Sequence, residues 1–181
     1  MKKLSIVLSL LLFACSSFGA QRNAGPFGTD GDSLVRWKSI VGVITAPGVD
    51  NPISSKIDSG TSAWSVQSGT ASVSLSTGAV FFQVQGLVFN GTRFSGTPGP
   101  VTSVTGTLVC NPGDTTQEAA FDTPQVPLNS RGNAVFSGFI ANIPPVGCGN
   151  PLFLIRVAIP STAAGRWIAT GAGRSLPNQG Q

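Results

Sequence analysis

The sequence predicts an all-β fold, a single antiparallel β-sandwich, with a small β-barrel as the alternative. Glycine and proline, 23 and 13 of the 181 residues, interrupt the chain throughout, and they mark turns rather than helix interiors. Between them lie short runs rich in Val, Ile, Thr and Phe, the residue types that favour strands. Several runs alternate apolar with polar residues, whereas helical spacing is nearly absent.

The hairpin between Ala71 and Gln85 is the best defined of the predicted elements. Alternation runs from Ala71 to Ser76, with serines on the outer face, and it returns from Val80 to Gln85. Thr77 and Gly78 supply the turn, because glycine adopts positive φ without steric cost. This pattern predicts two paired strands with one half-buried face.

The other strands are predicted from runs of the same kind, bounded by turn residues. The run 152–159 is nearly continuous in apolar residues, which is typical of a central strand covered on both faces. Along 101–110, Val104 and Leu108 are expected to face the core, with the intervening threonines on the opposite face. The segment 111–127 is expected to be a long polar loop. Predicted strands outside the hairpin cover 34–44, 64–66, 101–110, 132–140, 152–159 and 166–171.

Residues 1–20 have the organisation of an export signal peptide. Met1-Lys2-Lys3 is followed by an apolar run from Leu4 to Phe13 and then by small residues through Ala20. The run is shorter than the ~20 residues of a membrane-spanning helix. We therefore expect one mature β-sandwich domain over 21–174, followed by a flexible tail over 175–181.

The end of this signal can be interpreted in two ways, and both stay open. Leu12 to Cys15 is similar to a lipobox, which makes Cys15 a candidate for lipidation and the chain a candidate for a lipid anchor in the cell envelope. Cleavage after Gly19 would instead release a secreted or periplasmic protein. Association with a membrane is expected only if Cys15 is lipidated.

The charge of the chain points to no particular acidic partner. Of its 11 Lys and Arg residues, Lys2 and Lys3 leave with the signal, so nine remain against seven acidic residues. These nine are scattered, and a nucleic-acid-binding surface needs them clustered. We therefore expect no nucleic-acid partner, and a surface polymer or a protein is the expected one.

Two cysteines are expected to form a disulfide bond. Once Cys15 is removed or lipidated, Cys110 and Cys148 are the remaining pair in an oxidising compartment. Closing the loop between Cys110 and Cys148 would stabilise the fold by ~3–4 kcal/mol on the chain-entropy model. Two free buried thiols and a reactive thiol site are the alternatives.

The composition excludes the common nucleophilic mechanisms. The chain has no His, which excludes Ser-His-Asp and Cys-His catalysis and removes the commonest zinc ligand. We predict no catalytic, cofactor-binding or metal-binding residues. A hydrolase that uses two carboxylates, with Asp58 and Asp122 as an example of a pair, is the alternative.

Three tryptophans are candidates for stacking against a ligand, a sugar above all. Trp37, Trp64 and Trp167 each lie next to polar residues in sequence. The favoured interpretation is nevertheless that their large rings fill the core, as aromatic residues usually do in β-sandwiches. Arg36 and Arg166 precede two of these tryptophans, and alternation would direct the cations to the opposite face.

Several segments resemble small exported bacterial β-proteins of unknown function. These segments are Ala63 to Gly78, Gly86 to Val88, Gly106 to Asn111 and Asn150 to Arg156. The strand–hairpin–strand order and the closing apolar strand are also similar to the CHRD domain, a secreted β-domain, although the histidines typical of that domain are missing. Both resemblances imply an exported β-fold, and neither implies a site residue.

These observations together predict an exported, non-catalytic β-domain, a binding or structural module of the envelope or the extracellular space. Export, a polar face of Ser, Thr and Gln, long loops and the lack of a catalytic set favour this function. The alternatives are a carboxylate-dependent hydrolase and a lipid-anchored structural protein of the envelope.

Overall fold

The computed structural model describes residues 34–140, 142, 148–159 and 164–175. The predicted signal peptide with Cys15, and residues 176–181 of the predicted tail, lie outside the described residues. Ser175, the first residue of that tail, instead ends the last strand and pairs with Arg36. Within the described ranges the chain forms eleven strands and no helix, so the all-β prediction is confirmed.

The strands follow the turn signals of the sequence. In chain order they are β1 (Leu34–Gly42), β2 (Trp64–Ser65), β3 (Ser68–Ser74), β4 (Ala79–Gln85), β5 (Val88–Phe89), β6 (Ser103–Cys110), β7 (Ala119–Asp122), β8 (Val126–Pro127), β9 (Ala134–Phe139), β10 (Leu152–Val157) and β11 (Trp167–Ser175).

Nine of these strands form one antiparallel sheet. Its order is β7-β6-β10-β11-β1-β3-β4-β9, and β8 pairs with β6 along the same edge as β7. The sheet curls until β8 lies against β9, the strand at its far edge. The result is a half-barrel, an arrangement consistent with a sandwich or a barrel. Strands β2 and β5 form a separate two-stranded sheet.

The predicted hairpin is present as β3 and β4. Val73 pairs with Val80, and Gly78 donates a backbone hydrogen bond to Ser74 across the turn. The prediction of a long polar loop over 111–127 is corrected in part, because β7 and β8 form within this segment. These short strands have little sequence signal of their own, and they form because β6 offers a free edge to pair with.

The core lies on the inner face of the curled sheet. Phe153 lies 5.6 Å from both Trp37 and Phe82, and Phe82 lies 5.8 Å from Phe136, measured between ring centroids. Gly106 faces these rings, and a Cβ atom there would come within 2.7 Å of Phe82. Four strands thus contribute to one aromatic cluster, and β6 has a glycine where the rings leave no room.

The threonines of β6 are more deeply buried than alternation predicts. Val104 and Leu108 face the core as expected, but Thr105 and Thr107 are also buried. The hydroxyl of Thr107 donates a hydrogen bond to Asp122 of β7, at 2.5 Å. A threonine can be buried on this face because its hydroxyl finds a partner.

The predicted disulfide between Cys110 and Cys148 is present. Their Cα atoms lie 4.8 Å apart, and Asn111 donates a backbone hydrogen bond to Gly149 beside them. The bond joins the end of β6 to the segment that precedes β10. It is compatible with an oxidising, extracellular or periplasmic location.

The described part of the chain contains no helix with the length and apolar character that a membrane span requires.

Candidate ligand-binding cleft

A cleft of about 450 Å³ opens between the β2–β5 sheet and the adjoining ends of β10 and β11. Its volume lies within the range of ~300–1,000 Å³ that is typical of small-molecule sites. One set of lining side chains is apolar, and it consists of Trp64, Phe89, Val101, Val157, Ile159 and Ile168. The rest of the lining is polar or glycine, and it consists of Gly60, Thr61, Ser62, Gly165 and Arg166.

Two aromatic rings form one wall of the cleft. The register of the β2–β5 sheet places Trp64 opposite Phe89, and cross-strand partners lie on the same face. Their ring centroids are 4.0 Å apart with planes tilted by 35°. Phe94 continues the row at 5.8 Å from Phe89, with the Arg93 guanidinium 4.7 Å above its ring. The aromatic wall therefore extends from the cleft towards the surface.

The backbone of β2 is fixed against the end of β1. The Trp64 amide donates a hydrogen bond to Val43 at 2.8 Å. A Cβ atom at Gly42 would lie 2.1 Å from the Trp64 carbonyl oxygen, so only glycine allows this close approach. Trp64 itself is 3 % exposed and belongs to the hydrophobic core cluster. The ring of Phe89 packs against it.

The loop from Gly60 to Ser62 forms a polar rim. Gly60 donates a backbone hydrogen bond to Trp167, and the carbonyl of Thr61 accepts one from Gly48, at 2.9 and 3.0 Å. The hydroxyls of Thr61 and Ser62 make no hydrogen bond to another described residue. The backbone of the rim is therefore fixed, while its two hydroxyls are available to a ligand.

Arg166 is the charged side chain of the cleft, and its charge is compensated. Its Nη1 atom donates to Asp50 at 2.8 Å and to the carbonyl of Ser59 at 2.7 Å. The hydrogen bond and attraction to Asp50 raise the pKa of Arg166, with a further contribution from Asp58. A guanidinium already held by acidic residues is a weak site for a second anion.

A partly buried polar cluster lies beneath Gly165. Arg156 of β10 donates from Nε to the carbonyl of Gly165 at 2.6 Å, and its Nη1 lies 3.7 Å from Asp122. Burial lowers the pKa of the Arg156 guanidinium, and the attraction to Asp122 opposes that change. Because Thr107 also donates to Asp122, this carboxylate serves the cluster that fixes Gly165 rather than facing the cleft.

The three predicted tryptophans have different positions relative to the cleft. Trp64 lines it, whereas Trp167 lies beside it, 8 % exposed, with its Nε1 donating to the carbonyl of Asn51. Trp37 is 2 % exposed within the core aromatic cluster. The burial of all three fits the core interpretation, and Trp37 in particular has no open face for a ligand. Only Trp64 combines a core position with a place in the cleft wall.

The sequence did not identify the other cleft residues. Phe89 lies outside the predicted strands, and Ile168 is one apolar residue of the predicted strand over 166–171. Ile159 ends a run that was interpreted as a covered central strand, yet it is 47 % exposed at the cleft. Ile159 lies beyond the end of β10, which stops at Val157, two residues before the end of the predicted strand.

A second, more polar depression of about 380 Å³ lies at the start of β9. The amides of Gln83, Gln85, Asn129 and Asn133 line it, together with Val135 and neighbouring residues. Asn133 accepts a hydrogen bond from Gly86, and Asn129 accepts from Arg131. These amides therefore also stabilise the turn between β8 and β9.

Among the described residues, no group of three or more Cys, Asp or Glu side chains is arranged to hold a metal ion.

No family model, curated protein or solved structure matches this chain. The resemblances to small exported bacterial β-proteins and to the CHRD domain therefore stay predictions.

Proposed function

We propose that this protein is an exported, non-catalytic binding module of the envelope or extracellular space, and that the cleft beside Trp64 holds its ligand. The cleft is the observation that carries this proposal. It combines an apolar wall with a polar rim, the usual composition of a ligand site. Its walls come from separate parts of the chain, and backbone hydrogen bonds from Gly60 and Trp64 fix them. A fixed site loses little conformational entropy on binding.

The contacts of four acidic side chains support a binding role over hydrolysis. Asp122 is engaged by Thr107 and Arg156, and Asp50 by Arg166. Glu118 accepts from Ser54 and from the Gly113 amide, while Asp114 accepts from Thr116 and Gln117. Each of these carboxylates has a structural role in fixing a loop or strand.

Export is supported by the pattern of residues 1–20 and by the disulfide between Cys110 and Cys148. Soluble release and a lipid anchor on Cys15 remain the two forms of this proposal. Either form would present the cleft outside the cytoplasm.

The mature chain isolated from its own host is expected to begin at Ala20 or Gln21. Intact mass before and after reduction and alkylation measures this, and Cys110 and Cys148 should react only after reduction, because they form a disulfide. An acylated Cys15 at the amino terminus would select the lipid-anchored form. A chain that retains Met1 and its signal in the host would contradict export.

Filling the cleft is expected to weaken strongly the binding of a small apolar molecule. A Cβ atom at Gly60 would make an ordinary contact, 3.7 Å from Ile168, so Gly60→Leu should place its side chain among the lining residues without backbone strain. The neutral fluorescent probe N-phenyl-1-naphthylamine should bind the parent protein saturably, and at least about tenfold more weakly in Gly60→Leu.

Gly60→Ala is the matched control, because its single methyl group occupies little of the cleft. It should bind the probe within about twofold of the parent, and both variants should unfold at nearly the parent urea concentration. Equal probe binding by the parent and Gly60→Leu would show that the cleft is not the site and would overturn the proposed function.

A further inference from the structure

We infer that the cleft takes the acyl chain of an electrically neutral amphiphile, an acyl ester rather than a free fatty acid. This inference rests on the proposed function and names the ligand class of the same site. It depends on three properties of the cleft: the aliphatic composition of its apolar lining, the compensation of the Arg166 charge by acidic residues, and the hydroxyls on its rim.

The lining favours a flexible hydrocarbon chain over a sugar. Among the lining members with exposed surface, the aliphatic Val101, Val157 and Ile159 outnumber the one aromatic ring, Phe89. Trp64 is too deeply buried, at 3 % exposure, to offer a flat face on which a sugar ring could stack. Sugars also need many convergent polar groups, whereas branched aliphatic walls gain most by covering methylene groups.

The charges around the cleft disfavour a free carboxylate. Arg166 is the lining residue with a positive charge, and its Nη1 already donates to Asp50 and to the Ser59 carbonyl. Asp58 also acts on Arg166 electrostatically, so two acidic residues surround one cation. Beside Arg166 an anionic head group would therefore meet a neutral or negative environment, and a neutral head group avoids that repulsion.

The rim supplies donors that suit an ester. The hydroxyls of Thr61 and Ser62 have no partner among the described residues, and they lie on the same loop as Gly60 at the cleft. A hydroxyl donates to an ester carbonyl or exchanges hydrogen bonds with a neutral alcohol head group. The half-exposed Ile159 gives the cleft an apolar lip across which a chain could enter.

Calorimetric titration with 1-decanoylglycerol, kept below its aggregation concentration, tests this inference directly. The parent protein should bind the ester at least about tenfold more tightly than decanoate, which has the same chain with a free carboxylate. Glycerol monoacetate, which lacks the chain, should not bind measurably. Gly60→Leu should lose binding of the ester, while Gly60→Ala should retain it.

The double variant Thr61→Ala/Ser62→Ala tests the role of the rim. It should weaken binding of 1-decanoylglycerol by about fivefold or more, because the ester then loses two hydrogen-bond donors of the rim. Both side chains lie at the surface of a loop, so the fold should be retained, and urea unfolding verifies this.

Three results would overturn the inference: decanoate binding as tightly as the ester, ester binding that persists in Gly60→Leu, or an ester that neither gives heat nor displaces N-phenyl-1-naphthylamine. Tighter binding of an extended apolar peptide, such as acetyl-Leu-Phe-Leu-amide, would also overturn it and assign the cleft to a protein partner. If N-phenyl-1-naphthylamine still requires the open cleft in any of these cases, the proposed function stands and only the ligand class is wrong.

Discussion

Replacing Phe153 by alanine is expected to destabilise the protein by about 3–5 kcal/mol. Phe153 is fully buried, and its ring lies 5.6 Å from both Trp37 and Phe82. Gly106 has no side chain with which to fill the space, so removing the ring would leave a cavity among Trp37, Phe82 and Gly106. A loss of this size is a large fraction of the ~5–15 kcal/mol that stabilises a typical domain.

Phe153→Leu is the matched control for this prediction. It keeps most of the buried volume and should cost less than about 1.5 kcal/mol, because the neighbouring rings can repack around it. Urea unfolding, with the free energy extrapolated to water, measures both variants. Equal losses in the two variants would contradict the role given to Phe153 as the centre of the aromatic cluster.

Removing the disulfide is expected to cost about 3–4 kcal/mol on the chain-entropy model. Cys110 and Cys148 are separated by 38 positions in sequence, and the bond reduces the conformational freedom of the unfolded chain between them. The double variant Cys110→Ala/Cys148→Ala is the appropriate change, because alanine at the fully buried Cys110 introduces no unpaired polar group.

Reduction of the parent protein provides the control for the double variant. Reduced parent and double variant should have similar free energies of unfolding, both well below that of the oxidised parent. If reductant leaves the unfolding of the parent unchanged, the bond does not form in the protein, and the argument for an oxidising location loses its structural support.

Local patterns in the sequence predict local structure well in this fold. The hairpin of β3 and β4 is encoded by alternation and a turn within one short segment, so both partners are visible together. The pairing of β1 with β11 joins Trp37 to Arg174, and alternation alone does not specify which distant strand is the neighbour. The curl of the sheet likewise follows from long-range pairing.

The cleft could be predicted only in part, because its walls also come from segments that are distant in sequence. Trp64 was a candidate because of its chemistry, but Trp37 and Trp167 had equal claims in the sequence. The partner Phe89 lies in β5, a strand of two residues with no alternation to detect. The Thr61 and Ser62 hydroxyls became candidates only when the backbone bonds of their loop were known.

The measurement that tests the central claim most directly is the location of a bound probe by amide chemical shifts. N-phenyl-1-naphthylamine titrated into ¹⁵N-labelled protein should shift the amides of Thr61, Ser62 and Ile168, and Gly60→Leu should remove these shifts. Shifts that instead concentrate at Gln83 and Asn133 in the polar depression, or that persist unchanged in Gly60→Leu, would contradict the cleft as the ligand site.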